Sequence, residues 1–207
     1  MANQGRNLRF AIYTHDTFGL GHVRRCLHLT RSLAEAEPES AILFITGSPA
    51  LHAMDALPGN ADFLKIPTIV KTGTVDSRPP HLPIPINETS TLRKRIVYEA
   101  VTTFQPDVFL VDNFPLGSRK ELLNLLVELR KTGTRTILGL RDIVDMPETV
   151  CQHWERDGIY DVLESCYDRI LVYGMAQGLD IETAYQLPKS VGEKIEYCGY
   201  ITGTGTL

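Results

Sequence analysis

Residues 8–25 read LRFAIYT followed by HDTFGLGHVRR. The first seven are rich in aromatic and β-branched side chains, the signature of a short buried strand. Behind them come two glycines, a histidine and two arginines. The next stretch, GHVRRCLHLTRSLAEAE (21–37), places Val23, Leu27 and Ala34, with Leu20 and Leu33, at helical spacing, and Pro38 follows its end. A strand that hands over to a helix through a glycine loop is the opening unit of a parallel α/β sheet.

The rest of the chain repeats the unit. AILFIT (41–46) and ADFLKIP (61–67) read as the second and third strands. SRPPHLPIPIN (77–87) is too rich in proline for a helix interior or a central strand. ETSTLRKRIVYEAVTTFQ (88–105) reads as a helix, DVFLVD (107–112) as a buried strand, and SRKELLNLLVELRKTG (118–133) as an amphipathic helix ending at glycine. RTILGL (135–140), RILVYG (169–174) and IEYCGY (195–200) are further strands, and 147–167 is a helical stretch broken near Gly158. Uninterrupted alternation with apolar strands predicts an α/β fold: a doubly wound, Rossmann-like parallel sheet with helices on both faces. Residues 1–200 make one such domain, and the small residues of 201–207 read as the start of a linker.

With 207 residues, 43% apolar and 22% charged, the chain is long enough for a sizeable core. A net charge of −4 gives no reason to expect nucleic acid as a partner. Cys26, Cys151, Cys166 and Cys198 are widely spaced, which reads as free thiols in a reducing compartment. MANQGRNLRF lacks the regions of a signal peptide, and no stretch approaches the ~20 apolar residues of a membrane span, so the expectation is a cytoplasmic protein. No histidine forms a ligand spacing with a carboxylate or cysteine, so no metal and no cofactor is expected.

The glycine loop lies where a parallel sheet binds its ligands, at the carboxyl ends of the strands and near the point where strand order reverses. Gly19 and Gly21 let the backbone turn and let a ligand approach closely. The dinucleotide fingerprint fails, because its third glycine is replaced by Arg24 and ITGSP after the second strand carries no ribose-gripping acid. A phosphate loop fails too, for want of the G-K-[ST] ending. His22 then stands out. A helix N-terminus favours the neutral imidazole that a general base requires, and a carboxylate would orient it.

Topology nominates that carboxylate. In the order 3-2-1-4-5-6 the first and fourth strands are neighbours, and Asp112 ends the fourth. A buried strand rarely finishes in a carboxylate without a partner, although Asp112 also suits a turn or the cap of the next helix. His15 and Asp16 lie at the same sheet edge, Asp16 as an alternative partner for His22 or both as substrate contacts. Asn113 follows Asp112 in the facing loop NFPLG. Arg24 and Arg25 suit either phosphate contact or a solvated helix face. Arg141 and Asp142 read as an internal ion pair.

Taken together, the loop ending G-H, the strand PDVFLVD and the stretches VDNFPLG and GLRDIVDMPETV (139–150) resemble the N-terminal domain of GT-B glycosyltransferases, nearest the MurG-like group. The resemblance covers essentially the whole chain. It implies an acceptor-binding domain that faces a second domain holding a nucleotide-sugar donor, a UDP-sugar foremost. It implies His22 as general base, Asp112 as its partner, and Gly19 and Gly21 near the donor diphosphate. It implies inverting transfer without a metal, to a sugar or lipid-linked acceptor. The sequence stops at YCGYITG, where such a family would cross to its second domain. The expectation is therefore half an enzyme, needing a C-terminal donor-binding domain or a separate donor-binding subunit, and little turnover alone. Peripheral membrane contact through 79–98, with Arg93, Lys94 and Arg95, competes there with a plain solvated helix face. The rival functions are a non-catalytic module binding a sugar nucleotide or phospho-ligand through the same loop, and half of a UDP-sugar epimerase.

Overall fold

Apolar strands separated by helices pair in parallel, because each return crossover carries the helix that covers the sheet. A computed structural model of the chain describes residues 6–14, 20–49, 57–71 and 77–201. In chain order, β1 (Arg9–Thr14), α1 (Leu20–Ala36), β2 (Ala41–Thr46) and β3 (Ala61–Lys65) lead to the two-residue strands β4 (Val70–Lys71) and β5 (Ser77–Arg78). Then follow α2 (Ile86–Phe104), β6 (Val108–Asp112), α3 (Leu123–Thr132), β7 (Arg135–Arg141), α4 (Pro147–Asp157) and α5 (Ile159–Cys166). The described chain closes with β8 (Arg169–Tyr173), α6 (Ile181–Ala184), α7 (Lys189–Gly192) and β9 (Ile195–Tyr197).

Seven strands form one sheet in the order β3-β2-β1-β6-β7-β8-β9. Every neighbouring pair is parallel. The order reverses between β1 and β6, so the loops after these two strands splay to opposite sides and leave a crevice between them. The pairing aligns Thr14 with Asp112, and Asp112 in turn with Gly139 of β7. The side chains of β1 alternate between the two faces, as the strand period requires. Ile12, with Phe44 and Leu110, packs against Val23, Cys26, Leu27 and Ala34 of α1. Ala11 and Tyr13, with Phe109 and Val111, belong to the larger core on the other face. That core holds Val97 and Val101 of α2, Leu125, Leu126 and Leu129 of α3, Trp154 of α4 and Leu163 of α5. Each such side chain, fully buried, contributes about 1.5–3 kcal/mol.

The structure redraws several boundaries. Residues 118–120 form a single 3-10 turn, not the first turn of the α-helix: Arg119 and Lys120 take left-handed φ of 49° and 58°, and α3 begins only at Leu123. Glu121 is the reason, because its carboxylate is buried and drawn to Arg93 of α2. The long helical stretch 147–167 breaks as expected, with Gly158 in the left-handed conformation between α4 and α5. Two four-residue helices, α6 and α7, and the β4–β5 pair carry too few apolar repeats to show in periodicity. Among the described residues, no helix is long and apolar enough to cross a membrane.

Candidate active site

Helix α1 starts at the carboxyl edge of the sheet and runs back along the face of β1. His22 and Arg25 are three residues apart, hence neighbours on its surface, and Cys26 and Val23 turn inward. On the adjoining strand Asp112 is wholly buried, with a side-chain exposure of 0% against 18% for His22 and 15% for Arg25. A carboxylate so placed needs compensating charge and hydrogen bonds. It has both. His22 Nδ1 lies 2.7 Å from Asp112 Oδ2. Arg25 donates from Nε to Oδ1 at 3.0 Å, and from Nη2 to Oδ1 at 2.8 Å and to Oδ2 at 2.9 Å.

These distances assign the tautomer. A ring nitrogen 2.7 Å from a carboxylate oxygen must carry the proton, because two lone pairs at that separation repel. Nδ1 therefore donates to Asp112, and its 2.9 Å approach to Arg25 Nη2 is a contact between two donors. The lone pair of the neutral ring sits on Nε2. Phe114, which follows the aspartate strand by two residues, stands 6.5 Å from the imidazole, centroid to centroid.

A second layer sits under Arg25. Its guanidinium lies 4.9 Å from the ring centroid of Tyr173, at the end of β8. Tyr173 reaches that far because β7 has a glycine where the ring passes: a Cβ on Gly139 would stand 1.8 Å from the phenol oxygen. The Tyr173 hydroxyl is buried and has no hydrogen-bond partner among the described residues. Burial pushes its ionisation well above the ordinary phenol range, helped by the neighbouring Cys26 and Asp112 groups. The Cys26 thiol is likewise pushed up, by burial first and by the Asp112 charge second.

The other sequence candidates fall in varied places. Asn113 is buried, takes φ of 63°, donates its backbone N–H to Gly139 O at 2.7 Å, and keeps a side-chain oxygen with no partner among the described residues. Gly21 lies in the first turn of α1 with an ordinary φ, so no sharp turn depends on it. What it leaves is room, since an added Cβ would meet nothing within 4 Å among the described residues. Arg24 is exposed, and it is Arg25 that turns to the carboxylate. His15, Asp16 and Gly19 lie outside the described residues.

Two expectations are corrected. Arg93 cannot line a membrane-facing surface: it is fully buried in α2, donating to Glu121 from Nε at 2.8 Å and from Nη2 at 2.6 Å. Tyr13 donates to the same carboxylate and accepts from Ser118 N, so the cluster ties β1 and α2 to the loop after β6. Arg141 and Asp142 form no ion pair among the described residues. Arg141 is exposed, and Asp142 accepts from Tyr200 at 3.0 Å. A cavity of ≈ 340 Å³ at the opposite, amino edge of the sheet is lined by Arg6, Gln105, Asp107 and Thr134, far from His22.

No protein-family profile and no curated protein sequence matches the chain. Solved structures do. The apo UGT2 of Phytolacca americana superposes with a TM-score of 0.60 at 13% identity, over 95% of this chain and 52% of that one. A UDP-glucose:anthocyanidin 3-O-glucosyltransferase in complex with UDP gives 0.53 at 15% identity, over 97% and 55%. The structure of LpCGTa with UDP gives 0.57 at 12% identity, over 96% and 55%. The fold is that of a GT-B glycosyltransferase domain. The chain spans about half the length of these GT-B structures.

Proposed function

We propose that this chain is the acceptor-binding half of an inverting glycosyltransferase that uses a nucleotide-sugar donor, with His22 as general base. The reading is carried by one observation, the buried Asp112 carboxylate that holds His22 Nδ1 at 2.7 Å and leaves Nε2, at the carboxyl edge of the sheet, without a hydrogen bond among the described residues. In the reaction Nε2 takes the proton of the acceptor hydroxyl as its oxygen bonds to the anomeric carbon. The bond from that carbon to the donor phosphate breaks on the opposite side, and the nucleoside diphosphate leaves. Asp112 orients the ring and stabilises the imidazolium as it forms. No step needs a metal in this scheme. Asn113, whose buried side-chain oxygen beside Asp112 has no partner among the described residues, would take part in acceptor recognition.

The donor would be held by a second half, as a further domain or a separate subunit. Supporting this, the loops after β7, β8 and β9 expose Ile143, Met146, Met175 and Tyr200 on the same sheet edge as His22. The four cysteines are free, in keeping with a cytoplasmic home. The test supplies this chain with its donor-binding half and follows release of UDP from UDP-glucose over a panel of hydroxyl acceptors. His22→Ala should lower turnover on the order of 10²–10⁴-fold, the usual contribution of a general base. Undiminished turnover in that variant would refute the assignment and favour a binding role for the loop.

A further inference from the structure

A base that must be neutral at rest and charged in the transition state has a difficulty with a buried carboxylate at 2.7 Å. The same negative charge that orients the ring also draws a proton onto it in advance. The site contains an answer in Arg25. We propose that Arg25 is a positioning residue for the His22–Asp112 pair: it clamps both carboxylate oxygens in one orientation and cancels the charge that the imidazole would otherwise face. This deepens the reading of His22 as base and rests on it.

Three features carry the assignment. Arg25 engages Asp112 through two nitrogens and both oxygens, so the carboxylate cannot rotate away from Nδ1 without breaking three hydrogen bonds. Its Nη2 stands 2.9 Å from Nδ1, close enough for its charge to act on the ring directly. The guanidinium is itself held from behind by the Tyr173 ring at 4.9 Å, an arrangement that exists because residue 139 is glycine. Among the described residues the groups facing the pair are Arg25 and Cys26 from α1, Asp112 from β6, Phe114 from the loop beyond it and Tyr173 from β8. Of these the Cys26 thiol and the Tyr173 phenol both stay protonated at neutral pH, because burial raises each. Among the described residues the charge beside His22 is therefore set by Asp112 and Arg25, and these two sum to zero.

Long-range ¹H–¹⁵N correlation spectra of the chain read the protonation of His22 without substrate, the signal being identified by its loss in His22→Gln. In Arg25→Gln the midpoint of His22 titration should move to higher pH, because a like charge beside the imidazolium is removed. Arg25→Lys keeps the charge and loses the fork, and should stay near the parent. Arg25→Gln also takes from the buried carboxylate its guanidinium partner and can fail to fold. Asp112→Asn removes that problem. There the midpoint should fall, and adding Arg25→Gln to it should bring the midpoint back up. A folded Arg25→Gln chain with an unmoved midpoint, a Lys variant that moves as far as Gln, or no rise on adding Arg25→Gln to Asp112→Asn would each overturn the proposal. The two readings separate cleanly. Loss of glycosyl transfer in His22→Ala without charge coupling leaves the base and removes Arg25's role, and the converse result removes the base alone.

Discussion

Gly139→Ala tests the construction of the site from beneath. The added methyl would lie 1.8 Å from the Tyr173 oxygen, 2.4 Å from Cζ and 2.9 Å from Cε2. Ordinary contact begins near 3.4 Å, so the ring must recede by about 1.6 Å. It has nowhere easy to go, being buried and backed by Arg25. Overpacking a filled interior by one methyl costs about 1–3 kcal/mol, and a clash against a rigid ring belongs at the top of that range. For a domain of this size, 2–3 kcal/mol lowers Tm by roughly 4–12 °C. The measurement is urea unfolding of four proteins: parent, Gly139→Ala, Tyr173→Leu and the double variant, compared at a common slope. Leucine is smaller and can fold aside, so the double variant should recover about 2 kcal/mol relative to the sum of the singles. Gly59→Ala, where an added Cβ meets nothing within 4 Å among the described residues, is the control and should stay within about 0.5 kcal/mol. Additive costs in the double variant, or a Gly139→Ala penalty no larger than the control's, would refute the reasoning.

Removing Arg93 from its bidentate pair with Glu121 leaves a fully buried carboxylate, so Arg93→Met should cost about 3–5 kcal/mol in chemical unfolding, and Arg93→Met/Glu121→Gln much less. Gly117→Ala should destabilise by about 1–3 kcal/mol, since φ there is +65° and the new Cβ would press within 2.8 Å of Leu122; thermal melts decide it. The Cys26 thiol is raised in the folded chain, so the folded state holds its proton longer than the unfolded one. Its contribution is fully present below the unfolded value of about 8.5 and is lost as pH rises beyond it, at up to about 1.4 kcal/mol per pH unit. Cys26→Ala should flatten that alkaline decline, and Tyr13, Tyr167 and Tyr173, raised likewise, should govern the fall above about pH 10. With a thiol reagent at pH 8, exposed Cys198 should react in the native chain and Cys26 only at the rate of unfolding; rapid native labelling of Cys26 would contradict its burial.

The sheet and the pairing of His22 with Asp112 were readable because each follows from a local rule. Apolar runs alternating with amphipathic ones dictate a parallel sheet, and the usual winding order makes β1 and β6 neighbours. A carboxylate at the end of a buried strand then has to find a partner. Arg25 was less legible. An arginine one helical turn from a histidine is common on solvated surfaces, and its direction depends on a carboxylate 87 residues away. Tyr173 and Gly139 are harder still, since their meeting requires the register of β7 against β8. At residues 118–121 local preference misleads outright. SRKELL favours a helix, but Ser118 N–H binds the Tyr13 hydroxyl and Glu121 is claimed by Arg93, so tertiary bonds override the pattern.

The register between the two central strands has a further meaning. Asp112 shares a face with α1 only while Thr14 stands opposite it, and a slip of one residue would carry the carboxylate through the sheet to the α2 side. His22 would then keep its helix and lose its carboxylate partner. The proton transfer proposed for this pair is thus unavailable to any partly folded or misregistered chain, and the His22–Asp112 contact arrives together with the correct closure of the molecule's middle.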